Sequence, residues 1–498
     1  MFFSHFSPGS YHRPLLCLVS QAKKGSILKL KKRLIYLYVS FFLGTLVAGG
    51  CAHYPANSFL KECSPHKGYR LKNLGQDNKS DSLLLFLTFS GGGTRAASLA
   101  YGVLEELART EIFLEGRKRS LLDEVDAISS VSGGSFTAAY YGLFGRRIFE
   151  DFTSRFLKRN VQRELFEETI PLDNWFRLLS ANFGRSDLAA EYYDQHLFEG
   201  GTFGDIWARG GPLIFINATD ITLGTYFTFT QEMFDALCSD VSRFPVARAV
   251  AASSAVPLLL SPITLYNYAG SCNYQAPAWV QKTLQEPAVS RRRLQQAVHL
   301  KSYMDAQKRP YIHLIDGGIT DNLGLRAAVD QMNVKGDIWP SLQYLGWGNI
   351  RKVVFILVNA ETEPDSQPDQ VERTLRSGRV LKSATHIPFS RYNFETVELV
   401  KEYFKQWEEE IRSQRCSASK NLARADSTSL ELDSCSDIQF YLVEVDFDAL
   451  PDKAERSYFK GLPTSFYLRP EAVDLLRNVA RRILTQSPEF QRLLRALQ

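Results

Sequence analysis

The stretch Leu83-Leu84-Leu85-Phe86-Leu87-Thr88-Phe89-Ser90-Gly91-Gly92-Gly93-Thr94-Arg95 decides how this chain folds. Its first seven residues form a near-continuous apolar run, the pattern of a strand buried on both faces of a parallel sheet. Three glycines end the run, and Leu99, Val103, Leu104 and Leu107 then share one face of a helix. The same order recurs at Val125 to Val131, which leads through Ser132-Gly133-Gly134 into a second helical stretch. Further apolar strands are expected at 212–220, 311–315, 353–358 and 438–445. Strands alternating with helical segments imply an α/β fold, with a parallel or mixed central sheet and helices on both faces.

Three of the turns carry residues suited to chemistry. Ser129-Ser130-Val131-Ser132-Gly133-Gly134 is a variant of the G-x-S-x-G nucleophile elbow, with Ser130 in place of the first glycine and Gly134 as the second. Ser132 would sit at a helix N-terminus, where the helix dipole favours developing negative charge. A serine before a helix is also an ordinary N-cap, so its neighbours must decide. Gly91-Gly92-Gly93 can present free N–H groups to an anion. The lysine and spacing of a P-loop are missing, and so is G-x-G-x-x-G, which counts against nucleotide binding. An oxyanion hole has the same physical need, and Arg95 would brace that loop or add positive charge.

Asp316-Gly317-Gly318 ends the apolar strand Tyr311 to Ile315, which puts a carboxylate at the carboxyl edge of the sheet, where open α/β sheets bind ligands. A Ser–Asp–His triad in hydrolase order needs a late histidine, and beyond Asp316 the chain has only His386. A serine activated directly by a carboxylate is the more economical reading, with the His386 triad as its alternative.

Taken in order, GGGTR at 91–95, SVSGG at 130–134 and DGG at 316–318 resemble the patatin-like phospholipase family. INATD at 216–220 with Thr222-Leu223-Gly224, AASSAVP at 251–257, and Asp321-Asn322 also look like it, and LPTSF at 462–466 is a weaker match. The resemblance implies a three-layer α/β/α fold with a central, mostly parallel sheet. It implies a Ser132–Asp316 dyad that hydrolyses lipid acyl esters, and an oxyanion hole made by Gly91, Gly92 and Gly93 with Arg95. Gly317 and Gly318 complete the aspartate motif. Ser130 departs from the usual glycine. No metal or organic cofactor is implied, and the substrate class is lipid or phospholipid. The other readings are acyl transfer to an alcohol, and an envelope lipoprotein that binds acyl chains without cleaving them.

The flanks bear on location. The chain has 59 Lys and Arg against 54 Asp and Glu, a formal charge of +5. Seven of the basic residues, among them Lys29, Lys31, Lys32 and Arg33, fall within residues 1–50, which contain no Asp or Glu. Setting those seven aside leaves 52 basic against 54 acidic residues, so the remainder is near neutral and nucleic acid loses its support. The basic region precedes an apolar run from Leu34 to Val47, shorter than the roughly 20 residues of a spanning helix. Ala48-Gly49-Gly50-Cys51 follows. This is a secretory signal pattern, and its end resembles a bacterial lipobox. That resemblance implies lipidation of Cys51 and, with Ala52 next to it, membrane attachment as an outer-membrane lipoprotein of the cell envelope.

The expected organisation is a signal peptide at 1–50, a tether at 51–82 and a catalytic domain at 83–360 with an insertion at 270–309. An extension at 361–498 completes the domain, with a polar loop at 408–437 and a terminal helix. The insertion holds Arg291-Arg292-Arg293, read either as a solvated helix face or as a patch for anionic headgroups. Of the cysteines outside the leader and Cys51, Cys416 and Cys435 flank the polar loop and are the expected disulfide pair. No cysteine or histidine spacing suggests a metal site.

Overall fold

The structure is a computed structural model that describes residues 32–37, 52–64, 66–74, 79–286, 290–333, 335, 337–363, 372, 377–426 and 438–498. The first expected strand is β1 (Leu83–Phe89), all seven residues buried, which runs through the glycines into α1 (Gly93–Arg109). A hairpin of β2 (Glu111–Leu114) and β3 (Arg117–Ser120) precedes β4 (Val125–Val131) and α2 (Gly133–Phe144). Next come β5 (Leu213–Asp220), β6 (Thr225–Thr228), α3 (Val246–Ser253) and β7 (Ile263–Tyr266). The expected insertion supplies α4 (Ala278–Gln285) and α5 (Arg291–Tyr303), ahead of β8 (Tyr311–Asp316). The chain ends with α6 (Leu325–Met332), α7 (Ile338–Leu345), β9 (Lys352–Asn359), α8 (Ser377–Asp426), β10 (Gln439–Asp446) and α9 (Pro470–Gln486) among its larger elements.

All six strands expected from the sequence are present. The unexpected ones, β2, β3, β6 and β7, are four residues each, too short for a periodicity to show. The main sheet has the order β10-β9-β1-β4-β5-β8-β7, with β6 also on β5. From β10 to β5 neighbouring strands are parallel, whereas β8 and β7 are antiparallel additions. The fold is therefore the expected α/β sheet, mostly parallel and flanked by helices.

Each face of the sheet has its own helices. Phe86 and Phe355 stack at 5.0 Å, and Phe404 of α8 lies 5.3 Å from Phe355 on that face. α6 lies on this face too, where Ser129 donates to the carbonyl of Gly324 just before it. The opposite face carries α1 and α2, with α9 tied to α1 through the Arg477–Glu105 ion pair at 2.8 Å. Between β1 and β4 the register slips at Leu85, where Asp126 is the extra residue and its carboxylate accepts the Leu85 N–H at 2.8 Å.

Three expectations change. Residues 54–74 are not a free tether. Tyr69 and Leu71 are buried, Arg70 is paired with Asp235, and Asn57 bonds to both Tyr266 and Ser239. The polar stretch from 408 is helical as far as Asp426, because Glu and Arg are good helix formers and Trp407 and Ile411 are buried. Glu408 pairs with Arg412 one turn on, and residues 427–437 lie outside the described ones. The disulfide joins Cys238 to Cys272 at a Cα separation of 5.6 Å, and Cys416 is a free thiol. Cys435, the expected partner of Cys416, lies outside the described residues.

The body just described comprises residues 54–170 and 184–498. A small second unit combines 1–53 with 171–183. Its described part contains a helix at Leu172–Leu178 and a bond from Ser180 Oγ to the carbonyl of Ala52. Most of the expected leader, and Cys51 itself, lie outside the described residues. No described helix is long and apolar enough to cross a membrane.

Candidate active site

The strand register brings the three motifs into one row. Phe89 pairs with Ser130, Val131 pairs with Asn217, and Ala218 pairs with Asp316. The glycine loop after β1, Ser132 after β4 and Asp316 at the end of β8 are thus neighbours. β8 is antiparallel to β5 and overlaps only its last three residues. Asp316 reaches the carboxyl edge by this offset, not by ending a parallel strand.

Ser132 has φ +48° and ψ −117°, in a region that L-residues rarely occupy. This is the strained strand-to-helix elbow, and its cost of order 1–3 kcal/mol must be met by the packing around it. A Cβ on Gly134 would stand 2.7 Å from both the Cβ and the carbonyl oxygen of Phe89, so only glycine fits there. Ser253 holds the elbow from the other side. Its Oγ accepts the Ser132 N–H at 2.8 Å and donates to the carbonyl of Asn217 at 2.6 Å. Ser130 is fully buried, and its Oγ donates to the carbonyl of Phe215 at 3.2 Å, so the serine at the usual glycine position has both room and a partner.

The Ser132 hydroxyl does not cap α2. Instead it donates to Asp316 Oδ2 at 2.9 Å. The other carboxylate oxygen, Oδ1, accepts the Gly318 N–H at 2.8 Å, while the Asp316 and Gly317 N–H groups bond to the carbonyls of Ala255 and Ser253. Burial pushes the Asp316 carboxyl up to about 6, against the opposing pull of the Gly318 N–H and the Ser132 hydroxyl. At neutral pH it remains mostly ionised and able to take a proton. The backbone at His386 is part of α8, and its side chain lies outside the described residues.

The glycine loop divides its labour. The Gly91 N–H is taken by the carbonyl of Asn322 at 2.9 Å, whereas Gly92 and Gly93 have no acceptor for theirs among the described residues. Gly93 has φ +60°, and a Cβ there would meet the Ser465 carbonyl oxygen at 2.3 Å. The open donors are therefore Gly92 and Gly93, with Gly91 as their anchor. A Cβ on Gly91 would stand 3.4 Å from Ser132 Cβ, which sets the loop beside Ser132.

Arg95 is buried, and its guanidinium bonds to the carbonyls of Ala360 and Leu462 and to Thr464 Oγ1. It acts as the brace of the loop, tying it to the segment 462–465. Ser253, Asn217, Asn322 and Ser465 are the supporting residues whose roles local sequence does not reveal, since each acts from a different element. Among the described residues no group of His, Cys, Asp and Glu is arranged to hold a metal.

Residues 87–329 match the family model of the patatin-like phospholipases. No curated protein matches the chain. Among solved structures it is similar to human GIVD cytosolic phospholipase A2, at 13% identity and a TM-score of 0.42, over 86% of this chain and 64% of that one. The same human protein in complex with methyl gamma-linolenyl fluorophosphonate is similar at 11% identity and a TM-score of 0.39, over 84% and 59%. The chain spans less than two thirds of the length of these structures.

Proposed function

Residues 87–329 form a patatin-like phospholipase domain, and from that premise we propose that the protein is a serine acyl hydrolase that cleaves lipid acyl esters with a Ser132–Asp316 dyad. The family supports a lipid hydrolase in general terms. The observation that carries the finer reading is the 2.9 Å bond from Ser132 Oγ to a buried carboxylate, at an elbow beside two open glycine N–H groups.

In this mechanism Asp316 takes the Ser132 proton as Oγ attacks the ester carbonyl. The N–H groups of Gly92 and Gly93 receive the charge that develops on the carbonyl oxygen, and α2 points its positive end at the same place. Asp316 returns the proton to the leaving alcohol. Water, deprotonated by Asp316, then attacks the acyl-enzyme and frees Ser132 with a fatty acid as product.

The test uses nitrophenyl esters, phospholipids and a fluorophosphonate probe. Hydrolysis and labelling at Ser132 are expected, both lost in Ser132→Ala. A folded protein that neither turns over esters nor takes up the probe would reduce the site to acyl-chain binding.

We further propose that the mature protein is held on the bacterial envelope by a lipid on Cys51. The basic stretch, apolar run and small residues before Cys51 support this, and the Cys238–Cys272 disulfide suits an oxidising compartment. Labelling cells with an alkyne fatty acid should mark the wild type and not Cys51→Ala, and Cys51→Ala should leave the membrane fraction.

A further inference from the structure

A loop with an exposed apolar tip leaves the candidate active site on its Asp316 side. The Ala255 carbonyl accepts the Asp316 N–H at 3.0 Å, and the chain then runs through Val256-Pro257-Leu258-Leu259-Leu260-Ser261-Pro262 into β7. From Ser254 to Pro262 it holds no charged residue. Leu258 is 82% exposed and Leu259 69%. Ile319, next to the Gly318 that anchors the Asp316 carboxylate, is exposed as well.

Scattered exposed leucines are ordinary on a protein surface. This pair is set apart by its backbone. Leu258 has φ +73°, in the left-handed region that glycine enters freely, asparagine at small cost and leucine only under strain. The turn is nevertheless fixed. The Leu259 and Leu260 N–H groups both bond to the Val256 carbonyl, at 3.2 and 2.9 Å. Arg185 donates to the Leu258 carbonyl at 3.0 Å, and Ser261 Oγ accepts the Ser186 N–H at 3.1 Å. In water, glycine or asparagine would suit this position better in both backbone and solvation. Leucine gains only where apolar matter covers the tip.

The cover is indicated by where the chain enters the body. Tyr54 is the first residue of the body, and its ring lies 5.7 Å from that of Tyr266, the last residue of β7. The Arg248 guanidinium is also 5.7 Å from the Tyr54 ring centre, and it pairs with Asp187 at 2.6 Å. Asp187 and Arg185, which holds Leu258, share the helix Arg185–Tyr193. The point of entry and the leucine tip thus flank one short strand, β7, at the edge of the sheet. Three peptide steps link Tyr54 to Cys51, a reach of at most about 11 Å. Beyond Tyr54 the chain is packed on the body at Asn57, Tyr69 and Leu71. A lipid on Cys51 would therefore draw the tip toward the bilayer.

Resting on the lipid-hydrolase and Cys51 readings above, we propose that Leu258 and Leu259 are a membrane-docking tip. They insert among the acyl chains of the bilayer that holds the anchor, so that the Ser132–Asp316 site receives its lipid from that surface and not from solution.

The test places the full chain in phosphatidylcholine vesicles and reads docking and chemistry separately. Leu259→Trp reports position, and phospholipids brominated in the acyl chain should quench the emission that this substitution adds. The double variant Leu258→Asn/Leu259→Ser should fold with an equal or higher thermal midpoint, because both side chains are exposed and asparagine tolerates the left-handed backbone. Its turnover of vesicle phospholipid should fall at least about tenfold, since burial of a single leucine is worth that factor. Its hydrolysis of a soluble short-chain nitrophenyl ester should be unchanged. Quenching needs no turnover, so a chain that hydrolyses neither substrate would end the hydrolase reading while quenching still decides docking. An unquenched tryptophan, or equal losses on vesicles and on the soluble ester, would overturn the proposal. So would a dimer in sedimentation that the double variant dissociates, because a second copy would then cover the tip.

Discussion

Replacing Asp316 by Asn should slow turnover and stabilise the protein at the same time. Asp316 is buried, and its carboxyl is pushed from an ordinary 3.8 up to about 6. A folded value above the unfolded one means that the folded state binds the proton more tightly, so ionisation costs stability as pH rises. The two-unit difference corresponds to about 3 kcal/mol once pH exceeds 6, and to nothing below about pH 4, where both states are protonated. Asn keeps the shape and still accepts the Gly318 N–H, but it carries no charge to bury. Urea unfolding should therefore show a gain for Asp316→Asn that appears between pH 4 and pH 6 and levels at about 2–3 kcal/mol above it. Loss of the base should lower kcat roughly a thousandfold. In the wild type, kcat/KM should rise with pH through about 6, as the carboxylate becomes available. A variant less stable than the wild type at every pH, or a gain unchanged between pH 4 and pH 8, would refute the claim that burial of this charge sets its chemistry.

Ser253→Ala removes the acceptor for the Ser132 N–H and should destabilise the protein by roughly 1–3 kcal/mol while lowering kcat more than it changes KM; steady-state kinetics alongside thermal unfolding reads both effects. Gly134→Ala forces a Cβ to within 2.7 Å of Phe89 and should cost about 2–4 kcal/mol, or prevent accumulation of folded protein, as circular dichroism and soluble yield will show. Replacing both Cys238 and Cys272 by Ser opens a closure of 34 residues and should lower stability by about 3–4 kcal/mol in the chain-entropy model, measured by denaturant midpoint with the single variants as controls.

Much of the site was legible because its residues lie at the ends of apolar strands. A strand buried on both faces leaves little freedom in where it stops, so GGGTR and SVSGG could be placed at an edge from sequence alone, whereas β8 is exposed at Tyr311 and His313 and DGG reaches that edge through its antiparallel offset. The donors among the glycines could not be told apart that way. Whether Gly91 has a free N–H depends on Asn322, and Arg95 is spent on Ala360, Leu462 and Thr464, all distant in the chain. The disulfide and the fate of residues 54–74 failed for a related reason. Cys238 meets Cys272, and Arg70 meets Asp235, through the packing of segments that carry no local signal of each other.

The sequence by itself determined the class of fold and the order of its main strands, and singled out Ser132 and Asp316 as the candidate nucleophile and base. These follow from hydrophobic periodicity and from turns that only small residues can make, both local properties of the chain. Tertiary structure alone decided that β8 runs antiparallel and offset, which is what sets Asp316 2.9 Å from Ser132, and that burial raises its carboxyl toward neutrality. Register, burial and charge balance are properties of neighbours in space, and a linear pattern does not contain them.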